Sequence, residues 1–161
     1  IDEYFVDTMK SYDDKPFCNI ATDDLGLESE EEKKETEAKQ AEDKELLDFV
    51  KETLGEQVAS VRLSNKLVSS AVCLSTEGGV TLEMERYFRS MPGAPTDIRA
   101  VRVLELNANH HAYQTMKEAF TAGDKDKAAR IAKILHAQAL LIAGEPLEDP
   151  AAYSELVCTL I

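Results

Sequence analysis

The chain has 161 residues, with 31 Asp and Glu against 18 Lys and Arg, giving a net charge of −13 at pH 7. That length suits one domain plus an extension, and the acidic balance excludes a nucleic-acid surface, which needs clustered Lys and Arg. No apolar run approaches the roughly 18 residues of a membrane span and no signal-peptide pattern opens the chain, so the expected location is the cytoplasm.

The sequence starts at Ile1 and goes straight into helical periodicity, which reads as a piece of a longer protein. Ile1, Tyr4, Phe5, Met9 and Tyr12 fall on one helical face. Asp13-Asp14-Lys15-Pro16 then turns the chain into a short extended piece, Phe17-Cys18-Asn19-Ile20. Residues 28–45 hold nine acidic side chains and four lysines, with no apolar side chain larger than alanine. Ser29 with Glu32 fits a capping box, and Glu30/Lys34 and Glu35/Lys39 stand at favourable i,i+4 spacing. The stretch reads as a solvated acidic helix with few contacts to the rest of the chain.

Apolar periodicity returns at Leu46, Leu47, Phe49, Val50 and Leu54 and stops at Gly55, a residue suited to a left-handed helix end. Residues 58–63, 71–76 and 101–106 read as strands. Between the second and third strands lies a helix bounded by Gly78-Gly79 and Pro92-Gly93. Val80, Met84, Tyr87, Phe88 and Met91 fall within about a 100° arc of it. Arg86, Arg89 and Glu85 take the opposite face, with Leu82 out of place. An amphipathic helix of this kind is most often core-facing. Two features favour a binding surface instead: Gly-Gly and Pro-Gly flanks that suit mobile loops, and a stripe of Met and aromatics that adapts to many partners. Burying each such side chain is worth roughly 1.5–3 kcal/mol, so five left wet forgo on the order of 10 kcal/mol, which a fold rarely leaves unused.

After the third strand, Asn107 is a suitable cap for a helix carrying Tyr113, Met116 and Phe120. Gly123 breaks the pattern, and Asp124 caps a helix over 124–143 whose stripe is Ala128, Ile131, Ala132, Leu135, Ala139 and Ile142. Ile134, Leu140 and Leu141 add apolar surface on other sides, so this helix needs cover nearly all round. Gly144-Glu145-Pro146 ends it, and Asp149-Pro150 opens a last helix with Pro at the first helical position. The fold class is α+β: a small three-stranded sheet with helices, plus a C-terminal helical pair. Its unfinished apolar surface predicts a two-fold dimer with a four-helix bundle. Ile131, Ile134, Leu135, Leu140, Leu141, Tyr153, Leu156, Val157 and Leu160 are its candidate interface.

Chemistry is sparse. No P-loop, GxGxxG or GxSxG occurs, so no catalytic residue is assigned. His110, His111 and His136 read as surface and helix-end residues; adjacent histidines point to different faces, and no ligand spacing is completed. A metal-dependent enzyme fragment therefore ranks far behind. Cys18, Cys73 and Cys158 form an odd, widely spaced set without CxxC, as expected of reduced, mostly buried thiols.

Four stretches together resemble the C-terminal part of the heat shock protein 90 chaperones, bacterial members above all. They are Ile1-Asp2-Glu3-Tyr4 with Lys15-Pro16-Phe17, Val61-Arg62-Leu63-Ser64 leading to Leu67-Val68, residues 104–110 (Leu-Glu-Leu-Asn-Ala-Asn-His), and Ala139-Leu140-Leu141 followed by Leu147-Glu148-Asp149-Pro150. Ala108 and Asn109 stand where the family has Pro-Asp. The resemblance implies the end of a middle domain at 1–22, an acidic linker at 23–45 and a dimerisation domain at 46–161. It implies a homodimer that binds non-native client proteins, through Val80, Met84, Tyr87 and Phe88 together with Tyr4 and Asp7. Val80 replaces the family's Met, Tyr87 its Leu and Tyr4 its Trp. No cofactor is expected in this fragment; ATP and magnesium would sit in an upstream domain. The alternative is a purely structural dimerisation module whose 80–91 helix is packed internally.

Overall fold

The structure, a computed structural model, describes residues 2–17, 30–91, 93 and 98–159. Helix α1 (Asp2–Met9) ends before Tyr12, which is not on its face. Lys10 takes a left-handed φ of 59°, and Ser11–Tyr12 (β1) then pairs antiparallel with Lys15–Pro16 (β2). Asp13 and Asp14 also have positive φ, 51° and 59°, the geometry that a two-residue hairpin turn demands. Tyr12 is thereby turned off the helix onto a strand. Cys18 to Ile20 of the expected extended piece lie outside the described residues.

Helix α2 (Glu30–Glu42) carries the acidic stretch, and its Glu35–Lys39 pair closes at 2.9 Å. Its last turn is more engaged than composition suggests. Gln40 Oε1 accepts from the Leu63 amide, Lys39 reaches Asn109, and Glu42 pairs with Lys117. Asp43, at the joint with α3 (Lys44–Leu54), is buried; it accepts from the Tyr113 hydroxyl at 2.6 Å and pairs with Lys117 at 2.7 Å. A solvated arm is thus fastened at one end by buried polar contacts. Amide exchange should report this split as fast through most of α2 and slow from Gln40 onward; uniformly fast exchange to Asp43 would show the joint open.

A 3-10 turn (Gly55–Gln57) leads into the main sheet, β3 (Ser60–Leu63), β5 (Val101–Leu106) and β4 (Val72–Glu77), ordered β3-β5-β4. β5 runs parallel to β3 and antiparallel to β4, with Leu104 opposite Val61 and Leu74. The last strand in sequence therefore takes the centre. Its Leu104 and Leu106 face the core, while Val103 and Glu105, on the other side, are buried too. This confirms an α+β fold around a small sheet.

Helix α5 (His111–Thr121) starts four residues after Asn107. His110 caps it, Nδ1 accepting from the Ala112 amide. Asn107 is instead a buried staple: its side-chain amide donates to the Leu67 and Ser70 carbonyls, and its Oδ1 accepts from the Asn109 amide. Helix α6 (Lys125–Ile142), capped by Asp124, packs against α5, α3 and β4. Ala128, Ala132 and Ala139 permit close approach there, and Ile131 and Leu135 fill the core. Ile142, expected on that stripe, is 65% exposed, because α6 overruns the body at its C-terminal end. Helix α7 (Pro150–Cys158) follows, capped by Asp149, with no buried residue.

Candidate functional site

Helix α4 (Leu82–Ser90) begins at Thr81, whose side chain accepts from the Met84 amide at 3.2 Å. One charged residue of the helix is buried while two apolar ones are exposed. Glu85, expected on the solvated face, is 5% exposed, whereas Tyr87 is 51% exposed and Met91 40%. Val80, Met84 and Phe88 are half-buried, and the Phe88 ring meets Tyr87 edge-on at 5.9 Å. Glu85 turns inward because the start of β5 offers it partners. It accepts from the Ala100 amide at 2.9 Å, and it pairs with Arg102 at 3.1 Å and Arg89 at 2.5 Å. Arg86 reaches Glu145 at 2.9 Å, with Glu83 at 3.1 Å behind it. The flanking loops therefore do not leave α4 free; a polar clamp docks it.

The clamp makes the site sensitive to acid. Burial by itself would raise the Glu85 carboxyl, but the Ala100 amide, Arg102 and Arg89 outweigh it and hold the carboxyl below its ordinary 4.5. Such a group stabilises the fold above its unfolded value, and the contribution is lost as pH falls through the folded one. His136 is buried rather than on the surface, and burial holds its imidazole below 6.5, Glu148 opposing and Arg102 assisting. Here the unfolded state takes up a proton that the folded state refuses, so stability falls as pH drops below 6.5. Denaturant midpoints should decline in two stages, one below 6.5 and one below 4.5, with His136→Gln removing the upper. An unchanged upper stage in that variant would rule His136 out as its source.

Beside the clamp runs an open groove of about 940 Å³. Phe88 and Met91 line it from α4, His136 and Leu140 from α6, and Tyr153 and Leu156 from α7. Of the residues expected at a dimer interface, Ile131, Ile134 and Leu135 are already buried within the protomer. That face of α6 is already covered by the body. Leu140, Tyr153, Leu156 and Val157 are half-buried, Leu141 is 50% exposed, and Leu160 lies outside the described residues. The side chains of Tyr4 and Asp7 lie outside them as well.

The whole chain, residues 1–161, matches the family model described as Hsp90 protein. The chain belongs to the Hsp90 family. It is 39% identical over 161 residues to the chaperone protein HtpG of Bacillus velezensis and 37% to that of Bacillus subtilis. The HtpG of Halalkalibacterium halodurans is 41% identical over the same length. Each match takes in all of this chain and 25% of the relative, so the chain spans about a quarter of the length of these chaperones.

A second polar cluster lies on the other face of the sheet of this Hsp90-family chain. Glu105, 6% exposed in the central strand, pairs with Arg62 of β3 at 2.6 Å and accepts from the Ser75 hydroxyl of β4 at 2.7 Å. Burial would raise its carboxyl; Arg62, Ser75 and Ser64 hold it down. Burial, then the Glu105 charge, pushes the neighbouring Cys73 thiol up to about 11, which keeps it protonated and unreactive. Cys158, expected to be buried, is exposed on α7. Among the described residues no three His, Cys, Asp or Glu side chains group to hold a metal, and no helix is long and apolar enough to cross a membrane.

Arg102, Glu145 and the burial of His136 escaped the sequence reading. A charged residue inside an otherwise apolar strand signals a paired site, and Arg102 and Glu105 both carry that signal. Glu145 carries none: between Gly144 and Pro146 it looks like part of a helix stop.

Proposed function

We propose that this chain is the C-terminal dimerisation and client-binding part of a cytoplasmic, ATP-dependent Hsp90-type chaperone resembling HtpG. In this reading two copies associate through the exposed ends of α6 and α7 as a four-helix bundle. Each presents the α4 ridge of Val80, Met84, Tyr87 and Phe88 to non-native proteins, with Tyr4 and Asp7 near the same surface. One observation carries it: α4 buries Glu85 and leaves Tyr87 and Met91 exposed, with Met84 and Phe88 half-buried, beside helices whose own apolar surface is unfinished. Flexible, weak apolar contact suits a protein that binds unrelated sequences and releases them. Two facing ridges would add avidity for one extended client.

The groove does not suit ATP. Its cations Arg89, Arg99, Arg102 and Lys133 are outnumbered by the carboxylates Glu56, Glu85, Glu145, Glu148 and Asp149, and Arg89 and Arg102 are already held by Glu85. Nucleotide, magnesium and hydrolysis belong, on this proposal, to a part of the protein outside this chain, which is not itself an enzyme.

Partial burial of Met84 and Phe88 favours a second reading, a structural dimeriser whose ridge is packing surface. One experiment separates the two. Met84→Ser with Phe88→Ser in the full-length protein should cut suppression of client aggregation several-fold, leaving dimerisation unchanged and lowering stability by less than about 1.5 kcal/mol. A loss of about 3 kcal/mol or more would mark the stripe as core and support the structural reading.

A further inference from the structure

Glu145 sits in the α6–α7 turn with its side chain 4% exposed, and a guanidinium from a different element approaches each of its oxygens, that of Arg86 as an ion pair without hydrogen-bond geometry. Arg86 of α4 meets Oε1 at 2.9 Å, and Arg102 of β5 meets Oε2 at 3.5 Å. Arg86 also donates to the Ala143 carbonyl at 2.8 Å. Its guanidinium lies over Gly144, where an added Cβ would come within 3.6 Å of Nη1. Arg102 returns to α4 through Glu85. The polar face of α4 is thus tied to the end of α6 at one position and to β5 at the next. Removing a cation from a carboxylate this buried leaves an uncompensated charge, so α4 and the turn hold or release together.

The turn closes on the last turn of α6, the Gly144 amide donating to the Leu141 carbonyl and the Glu145 amide to the Leu140 carbonyl, and this chain alone anchors α7 beyond it weakly. None of its described residues is buried, while Leu141 and Ile142 just before the turn are 50% and 65% exposed. A second copy covering these side chains would hold the last turn of α6, whose carbonyls fix the Glu145 backbone, and with it the carboxylate that α4 docks on.

We propose that the Glu85–Arg102–Glu145–Arg86 cluster is a latch coupling the α4 ridge to the C-terminal helical pair, so that association of two copies holds α4 and dissociation frees it. This rests on the dimer reading above. The coupling runs both ways: a client that draws α4 outward weakens association of the copies by the same factor.

The test is amide exchange over residues 82–90 in the full-length protein, crossing Leu156→Glu, which should separate the copies, with Glu145→Gln. In the wild-type background Leu156→Glu should speed α4 exchange about tenfold or more, with residues 101–106 unchanged. Glu145→Gln should already exchange quickly as a dimer, and adding Leu156→Glu should change little further. Arg86→Met provides the same comparison if Glu145→Gln does not fold. Effects that simply multiply, or α4 exchange indifferent to the loss of Glu145, overturn the latch alone. A wild type that stays monomeric at every concentration overturns the dimer reading, and the latch with it.

Discussion

If two copies associate as proposed, glutamate in place of Leu156 should convert the full-length protein from dimer to monomer at micromolar concentration. Leu156 is half-buried on α7 and lines the groove facing Leu140 and Tyr153. In a two-fold bundle the change appears twice, once from each copy, so two unpaired carboxylates enter one apolar interface. An unpartnered buried charge costs several kcal/mol even after relaxation. The dissociation constant should therefore rise by at least about a hundredfold. Light scattering across a dilution series reads the change, and Leu156→Met serves as the volume-conserving control. Equal masses for Leu156→Glu and wild type would place the interface elsewhere on the molecule.

Asp43→Ala should give the largest stability loss of any single polar substitution in the chain, about 3 kcal/mol. Asp43 is 7% exposed and joins three elements: α2 and α3 on either side of it, and α5 through Tyr113 and Lys117. Its loss strands the Tyr113 hydroxyl in the core, where that residue is 1% exposed. Burial, the Asp43 hydrogen bond and the Asp43 and Glu42 charges raise the Tyr113 phenol, so it stays a donor throughout the usual working range. Tyr113→Phe removes donor and need together and should cost about 1 kcal/mol, since Lys117 still holds Asp43. Chemical denaturation of both variants checks the ordering; a larger loss for Tyr113→Phe would show that the hydroxyl, not the carboxylate, organises the joint.

The elements were legible because their signals are local. Asp124 and Asp149-Pro150 mark helix starts by cap chemistry, and Gly55 marks a stop by its positive φ of 59°. Residues 101–106 read as a strand because an apolar run with β-branched residues leaves little else. What went astray depended on partners distant in sequence. Glu85 was placed in solvent because its own helix suggests so, yet Ala100 and Arg102 draw it inward. Ile131, Ile134 and Leu135 were expected at an interface, and the body of the same chain covers them.

Local signals in the sequence carry the order of the elements from α3 onward, the α+β class, the acidic character of α2 and, through its motifs, the Hsp90 family. Periodicity, capping and composition act within one turn or one strand, and no distant residue alters them. Packing of the whole chain puts β5 at the centre of the sheet, buries Glu85 of α4 and leaves Tyr87 and Met91 exposed. It alone closed Glu85, Arg102, Glu145 and Arg86 into one cluster. The reason is that a buried charge is tolerated only where counter-charges converge on it, and convergence belongs to the packed chain, not to any stretch of it.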